Sequence, residues 1–191
     1  MIGQLPTTIT INGTDWAIRS DFRVALLIFQ AFGDPELNDP EKCEIMLDCL
    51  YEDSDMLPVD DLVEAQHKAL LYLDGVSDEA TAGNQKKDGR KMLDWVQDEQ
   101  MIFSAVNKVA GCEVRSLEYM HWWTFLGYFY EIGEGLFSNV LHIRQKRMSG
   151  KKLEKHEIEF YRKNKDIIDL KSRLTEEEQK EKECLLKILK S

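Results

Sequence analysis

The chain has 191 residues, is 43% hydrophobic and carries a net charge of −10, so it can bury an ordinary core without disulfides or a metal ion. The first residues lack the basic and apolar regions of a signal peptide, and no stretch approaches about 18 uninterrupted apolar residues, so we expect a cytosolic protein without membrane partners. Reduced thiols are expected at the scattered cysteines Cys43, Cys49, Cys112 and Cys184.

Charge is distributed unevenly along the chain. Residues 1–75 carry 15 acidic and 4 basic side chains, residues 76–135 carry 10 and 6, and residues 136–191 reverse the balance with 10 and 15. The acidic body repels nucleic acid, and Glu and Asp interrupt the basic tail, so no nucleic-acid partner is expected. Two differently charged solvated surfaces are the favoured interpretation, and end-to-end association of acidic body with basic tail is the alternative.

The N-terminal residues predict a β-hairpin followed by three helices. Alternating β-branched and aromatic residues at 7–11 and 14–18 flank Asn12-Gly13, the pair that best tolerates a two-residue turn with positive φ angles. Capping residues or prolines then stand where each of three helices is expected to begin. These helices are predicted from Ser20 or Asp21 to about Gly33, from Asp39-Pro40 to about Tyr51, and from Pro58 to about Leu73.

The middle of the chain combines a loop with two apolar helices. Residues 74–89 are rich in Gly, Asp and Lys and predict a flexible loop. A further helix is expected from about Ser116, where residues 119–130 are apolar nearly all round and must be covered by neighbours or by a partner. Between these two segments, one helical stripe that stops at Gly111 contains Leu93, Val96, Phe103, Val106 and Ala110.

The C-terminal part is charged. A helix from Phe137 runs to Arg147 and is interrupted by Gly150, after which residues 151–173 are mostly charged. Thr175 and Glu178 then form a capping-box pattern. The terminal helix that it predicts carries the apolar residues Cys184, Leu185, Ile188 and Leu189.

Together these elements predict a mainly α protein of about six to eight helices with a small N-terminal β-hairpin. Residues 1–75 are expected to form the hairpin and acidic helices, and residues 76–89 a flexible loop. Residues 90–150 are expected to be an aromatic-rich helical core that packs with the N-terminal part as one domain. Residues 151–191 are expected to form a charged helical appendage.

No catalytic, cofactor-binding or metal-binding residues are predicted. Cys43 and Cys49 are six residues apart and face different sides of a helix, and no Cys-x-x-Cys or His-Glu-x-x-His motif is present. Residues 133–135 (Gly-Glu-Gly) follow a helix and lack a Gly-Lys-Ser/Thr completion, which favours a helix-breaking turn over a phosphate loop. We therefore expect no enzyme and no cofactor. Four separate helices carry the histidines His67, His121, His142 and His156.

Two groups of residues are candidates for contact with partners. Tryptophan and tyrosine are enriched at binding hot spots, so the aromatic helix offers Trp122, Trp123, Phe125, Tyr128 and Phe129. Because neighbouring residues point about 100° apart on a helix, one tryptophan is expected in the core, and core packing is favoured over direct partner contact. The basic segment offers a candidate electrostatic set, Arg144, Lys146, Arg147, Lys151 and Lys152.

Four segments carry a family resemblance. They are residues 18–23, the helix with Asp98, Ile102, Phe103 and Ala105, residues 117–125 around His121-Trp122-Trp123, and residues 137–144. In this order, and with the basic segment that follows, they resemble the bacteriophage gene-product-fifteen family of tail-module proteins over most of residues 8–165. In one departure, residues 111–114 (Gly-Cys-Glu-Val) stand where relatives have a Gly-Ile-Asp-like turn.

The resemblance implies a gene near the tape-measure gene and a role like that of a tail assembly chaperone in the cytoplasm of the bacterial host. Such chaperones coat the long helical tape-measure protein before tube subunits polymerise, and they are absent from the finished tail. The implied partners are the tape-measure protein and other tail-assembly proteins. A structural minor tail component retained in the virion is the alternative. No established active-site residues come with the family.

Overall fold

The predicted β-hairpin forms the beginning of the fold. The computed structural model describes residues 3–76 and 92–171, together with Thr175, Glu178 and Lys180. Two antiparallel strands make the hairpin, β1 (Thr8–Ile11) and β2 (Thr14–Ala17). Between them Asn12 and Gly13 have φ angles of 45° and 81°, the left-handed values that a type I′ turn requires. Ile9 and Ile11 are buried and attach the hairpin to the core.

Eight α-helices follow within the described residues, which confirms the prediction of a mainly helical chain with a small N-terminal hairpin. Before the undescribed residues 77–91 lie α1 (Phe22–Phe32), α2 (Asp39–Leu50) and α3 (Leu62–Leu73). After them come α4 (Glu99–Ala110), α5 (Trp122–Tyr130), α6 (Leu136–Met148), α7 (Lys155–Lys163) and α8 (Lys165–Ile168). The predicted loop at 74–89 lies outside the described residues from position 77 onward.

Local signals set the starts of the first helices. The Asp21 side chain caps α1 by accepting a hydrogen bond from the amide of Arg23 at 2.9 Å. Asn38, one residue before the predicted Asp39, caps α2 in a reciprocal capping box with Glu41. Pro58 opens a short 3₁₀ turn instead of α3 itself, so that helix begins at Leu62.

The predicted helical stripe through Leu93 and Val96 was wrong at its beginning, because α4 starts only at Glu99. The side chain of Asp94 accepts hydrogen bonds from the amides of Val96 and Gln97, both at 2.9 Å, and holds this stretch as a turn. Val96 therefore faces solvent at 49% exposure instead of joining the buried stripe. The predicted stop of α4 at Gly111 is confirmed by a φ angle of 72°.

The helix expected from about Ser116 begins later, at Trp122. The residues before it pair with the chain that leads into α1. The amide of Phe22 donates to the carbonyl of Met120 at 2.9 Å, and the amide of Trp122 donates to the carbonyl of Ser20 at 2.7 Å. This pairing holds the segment extended, so the starts of α1 and α5 lie side by side.

Most buried apolar side chains form one cluster, to which the hairpin and helices α1 to α6 all contribute, from Ile9 to Phe137. A smaller cluster of Val140, Ile143 and Ile168 packs α8 against α6. Beyond it, Thr175 and Glu178 make the predicted capping-box hydrogen bonds, at 2.9 and 3.2 Å. Most of the predicted terminal helix, including Cys184, Leu185, Ile188 and Leu189, lies outside the described residues.

A buried ion pair closes this C-terminal part onto the rest. The guanidinium of Arg144 contacts both carboxylate oxygens of Asp98, at 2.6 and 2.8 Å. Its remaining donors reach the carbonyls of Ile168 at 2.7 Å, Ile167 at 2.6 Å and Met92 at 3.1 Å. All five N–H groups of the arginine therefore have acceptors, although the side chain is only 3% exposed.

We expect Arg144→Met to lower the free energy of unfolding by about 3–5 kcal/mol, because it leaves the Asp98 carboxylate charged, buried and unpaired. Urea unfolding measures the loss. The matched control is Arg147→Met on the same helix, whose ion pair with Asp169 is exposed and is expected to contribute less than about 1 kcal/mol. Equal losses in the two variants would contradict this account of Arg144.

Candidate functional site

The tryptophan pair holds the fold together. Trp122 is 1% exposed and lies in the core, as the helical spacing predicted for one of the two. Its indole N–H donates to the carbonyl of Leu73 at 3.0 Å, and that of Trp123 donates to the carbonyl of Tyr72 at 2.9 Å. Carbonyls in the last turn of a helix lack intrahelical partners, so both indoles cap the end of α3.

His121 supports this arrangement as the N-cap of α5. Its Nδ1 accepts a hydrogen bond from the amide of Trp123 at 3.0 Å, and its Nε2 lies 2.9 Å from the carbonyl of Pro6. Because Nδ1 is the acceptor, we assign the proton to Nε2, which donates to that carbonyl. The His-Trp-Trp motif at the start of α5 thus contacts both Pro6, which precedes β1, and the end of α3.

The other aromatic candidates differ in exposure. Phe125 is fully buried, so neither it nor Trp122 is accessible to a partner in this conformation. Tyr128 and Phe129 are half-buried. The ring of Phe129 lies 5.4 Å from that of Trp95, within an aromatic cluster that reaches the surface at the latter residue.

An open apolar groove of about 400 Å³ lies between α1 and α4. Its most exposed apolar side chains are Leu27 at 57% and Val96 at 49%. Aromatic and aliphatic side chains line it, namely Phe22, Leu26, Leu27, Trp95, Val96, Ile102 and Phe103. We call this surface the α1–α4 groove.

Two arginines stand at fixed positions beside the α1–α4 groove. The Arg23 guanidinium lies 4.6 Å from the centre of the Phe22 ring and donates to the carbonyl of Leu117 at 2.6 Å. Arg115 lies 4.8 Å from the centre of the Phe103 ring. Such placements allow cation–π contacts. The groove therefore combines an apolar floor with preset cationic edges.

Acidic neighbours hold both arginines. Asp21 accepts from Arg23 at 3.0 and 3.1 Å, and Glu113 accepts from Arg115 at 2.8 and 2.9 Å. The hydrogen bonds from Arg115 lower the pKa of Glu113 to about 2. Because these pairs exist before any partner arrives, little side-chain entropy remains to be lost on binding.

A second groove, of about 530 Å³, lies on the other side of α4, against the connection between α5 and α6. Aliphatic residues such as Met101, Ala105, Val109 and Leu136 line most of it. It contains neither a tryptophan nor an arginine. We favour the α1–α4 groove as the binding site, since aromatic and arginine side chains are the usual anchors of interfaces.

The structure disperses the candidate electrostatic set. Arg144 is buried and contributes nothing to the surface, because Asp98 and three carbonyls take all its donors. Arg147 forms an ion pair with Asp169. Lys146 is bonded to Glu157, and only Lys151 and Lys152 of the five are exposed without an ion pair among the described residues.

Glu157 is another buried carboxylate, and it attaches α7 to α6. It accepts hydrogen bonds from Lys146 at 2.5 Å and from the amide of Glu154 at 2.7 Å, and its second contact on α6 is His142 at 3.0 Å. These contacts, led by that of Lys146, lower the pKa of Glu157 to about 2. Lys146 on α6 thus stabilises the packing of α7 through Glu157.

Sequence reasoning missed several groove residues. Trp95 and Leu27 were not singled out, and Val96 was assigned to a helical stripe. A single exposed leucine is common on protein surfaces and gives no signal in a sequence. The positions of Arg23 and Arg115 depend on contacts with residues distant in sequence or in the fold.

Comparison with known proteins identifies the family of the chain. The family model described as Bacteriophage Gp15 protein matches residues 1–170. The chain therefore belongs to the bacteriophage Gp15 family, which indicates a phage structural or assembly protein. Neither a curated protein nor a solved structure matches it.

The described residues contain neither a membrane-spanning helix nor a cluster of metal ligands. Among them, no helix combines the length and apolar character needed to cross a membrane. In the same part of the chain, no group of three or more His, Cys, Asp or Glu side chains is arranged to hold a metal ion.

Glu157→Gln is expected to reduce the acid sensitivity of folding. Because the folded pKa of about 2 lies below the ordinary 4.5, the carboxylate stabilises the fold above pH 4.5 and loses this effect as the pH falls towards 2. Urea unfolding of both proteins should therefore show a difference that shrinks over this window. Glu159→Gln, an exposed change on the same helix, is the control. A difference independent of pH would refute the assignment.

Proposed function

We propose that this protein is a tail assembly chaperone that binds the tape-measure protein in the cytoplasm of the infected bacterium. Family membership supports a phage structural or assembly role, and the resemblance of the motif segments supports the finer assignment. The observation that carries the proposal is the α1–α4 groove, an apolar surface with aromatic anchors and preset arginines.

The groove suits the apolar face of a helix. In this mode of recognition, side chains spaced three or four residues apart on the partner helix enter an apolar groove. Trp95 offers the large aromatic contact, while Leu27 and Val96 offer exposed aliphatic surface that binding would remove from water. A tape-measure protein is long and helical, so such a face recurs along it.

Charge supports a chaperone role as well. Residues 1–75 carry a net charge of −11, which disfavours association among complexes that have bound an aggregation-prone partner. Glu99 adds an acidic group to the groove beside Arg23 and Arg115. Both signs of charge therefore border the apolar floor and can select the orientation of a partner helix.

We further propose that the protein acts by binding and not by catalysis. The polar groups around His121 are engaged in helix capping, and the Asp98 carboxylate is engaged by Arg144. In both places the side chains that could take part in catalysis instead make contacts that stabilise the fold.

Retention in the virion is the alternative role for a tail-module protein. A chaperone leaves before the tail is finished, whereas a structural component remains in fixed stoichiometry. Mass spectrometry of purified particles separates the two, and we expect the protein to be absent from mature tails.

Leu27→Asp is expected to weaken binding of a tape-measure fragment by at least about tenfold, because it places a carboxylate in the apolar floor of the groove. The readouts are the soluble yield of the fragment on co-expression and its Kd for the purified protein. Leu27 is exposed, so the variant should keep the thermal stability of the parent.

Val109→Asp is the matched control, since Val109 is also an exposed apolar residue but lines the second groove. We expect it to keep both solubility and affinity. Loss of binding in this control alone would move the site to the second groove. A fragment that stays insoluble beside folded parent protein would argue against the chaperone function itself.

A further inference from the structure

A further apolar surface is formed by residues that line neither groove. The three most exposed large apolar side chains of the described residues are Val59 at 81%, Val63 at 78% and Met56 at 72%. Val63 and Leu70, seven residues apart, share one face of α3, and Val59 stands four residues before Val63 in the 3₁₀ turn that precedes the helix. Ala65 and Ala69 on another side of α3 are buried. We call Met56, Val59, Val63 and Leu70 the α3 stripe.

Carboxylates are concentrated along the N-terminal part of the α3 stripe. Residues 52–70 contain six acidic side chains, all at or before Glu64, and one basic side chain, Lys68. Among the described residues, no ion pair neutralises Asp55, Asp60 or Glu64. An apolar row whose sequence neighbours are carboxylates without an ion pair fits an apolar segment that carries lysines.

The C-terminus of the same chain has this chemistry. Residues 184–191 read Cys-Leu-Leu-Lys-Ile-Leu-Lys-Ser, with four aliphatic side chains, two lysines and no acidic residue. The spacing of Leu185, Ile188 and Leu189 predicts one apolar helix face, and Lys187 and Lys190 lie beside it. This segment lies outside the described residues, and its sequence complements the α3 stripe in both hydrophobicity and charge.

The C-terminal segment departs from a different part of the fold. The amide of Lys171 donates to the side chain of Gln97 at 2.9 Å, and α8 packs on α6, whereas α3 packs against β1 and α2. The capping box at Thr175 marks a helix start. A helix over residues 176–190 would be about 22 Å long and would carry its apolar end away from this anchor.

We infer that residues 184–191 of one copy bind the α3 stripe of a second copy. The two surfaces are different, so the contact is heterologous, and a bound pair of copies still offers one free stripe and one free C-terminal segment. The result is a head-to-tail chain of molecules. This association is independent of the α1–α4 groove and therefore does not depend on the proposed partner.

The test uses two variants of the full protein that each lose one side of the contact. In the first, Val59→Lys and Val63→Lys remove apolar surface and repel the lysines of the C-terminus. The second lacks residues 184–191. In sedimentation velocity the parent protein should form chains that lengthen with concentration, whereas each variant alone should sediment as a monomer. An equimolar mixture of the two variants should form dimers and nothing longer, because only one intact pair of surfaces exists.

Salt and a control variant complete the experiment. Raising NaCl from about 0.05 to 0.5 M should weaken the mixed dimer, since the charges involved are exposed and screened. Val109→Lys, an exposed change outside the stripe, should assemble like the parent. The inference is overturned if the parent is monomeric at all concentrations, if the deletion variant still assembles, or if the mixture stays monomeric. Docking of the C-terminus on its own chain would give the first of these results.

Discussion

The guanidinium of Arg144, buried among five acceptors, joins three segments that are distant in sequence. It neutralises Asp98 before α4, stands on α6, and binds the carbonyls of Ile167 and Ile168 at the end of α8. Burying an arginine costs free energy unless each of its N–H donors has an acceptor. If one of these segments moved away, Arg144 or Asp98 would therefore be left buried without its partner. The turn at Asp94 and the small apolar cluster around Ile168 both depend on this closure. So does the placement of Trp95, which carries one wall of the α1–α4 groove.

Elements governed by neighbouring residues were predictable from the sequence. The Asn12-Gly13 turn, the Asp21 cap and the stops at Gly111 and Gly150 each follow from the conformational preference of one or two residues. The predictions failed where distant segments decide the backbone. A helix was predicted from about Ser116, but the pairing of Met120 and Trp122 with the residues before α1 keeps the chain out of a helix until Trp122. The spacing of residues 93–98 predicts one turn of a helical stripe. In the fold Asp98 instead pairs with Arg144, which is 46 positions away.

The candidate site was harder to predict, because a surface groove is assembled from several elements. The tryptophan pair drew attention by composition, yet its indoles are used to cap α3. The sequence does not distinguish Arg144 from the basic residues that follow it, because nothing in a run of charged residues shows which of them is buried. The α1–α4 groove takes residues from α1, from the turn at 95–96, from α4 and from Arg115. Only its tertiary assembly shows which apolar residues remain exposed.

The closure by Arg144 also has a consequence for synthesis of the protein. Ribosomes add about 5–20 residues per second, so Asp98 precedes its arginine, 46 residues later, by about 2 to 9 seconds. The last two carbonyl acceptors arrive later still, with Ile167 and Ile168. Before Arg144 is added, the nascent chain carries an Asp98 carboxylate whose burial would have no compensation. A chain that ends before Ile167 lacks two of the five acceptors of the guanidinium and therefore cannot complete this closure.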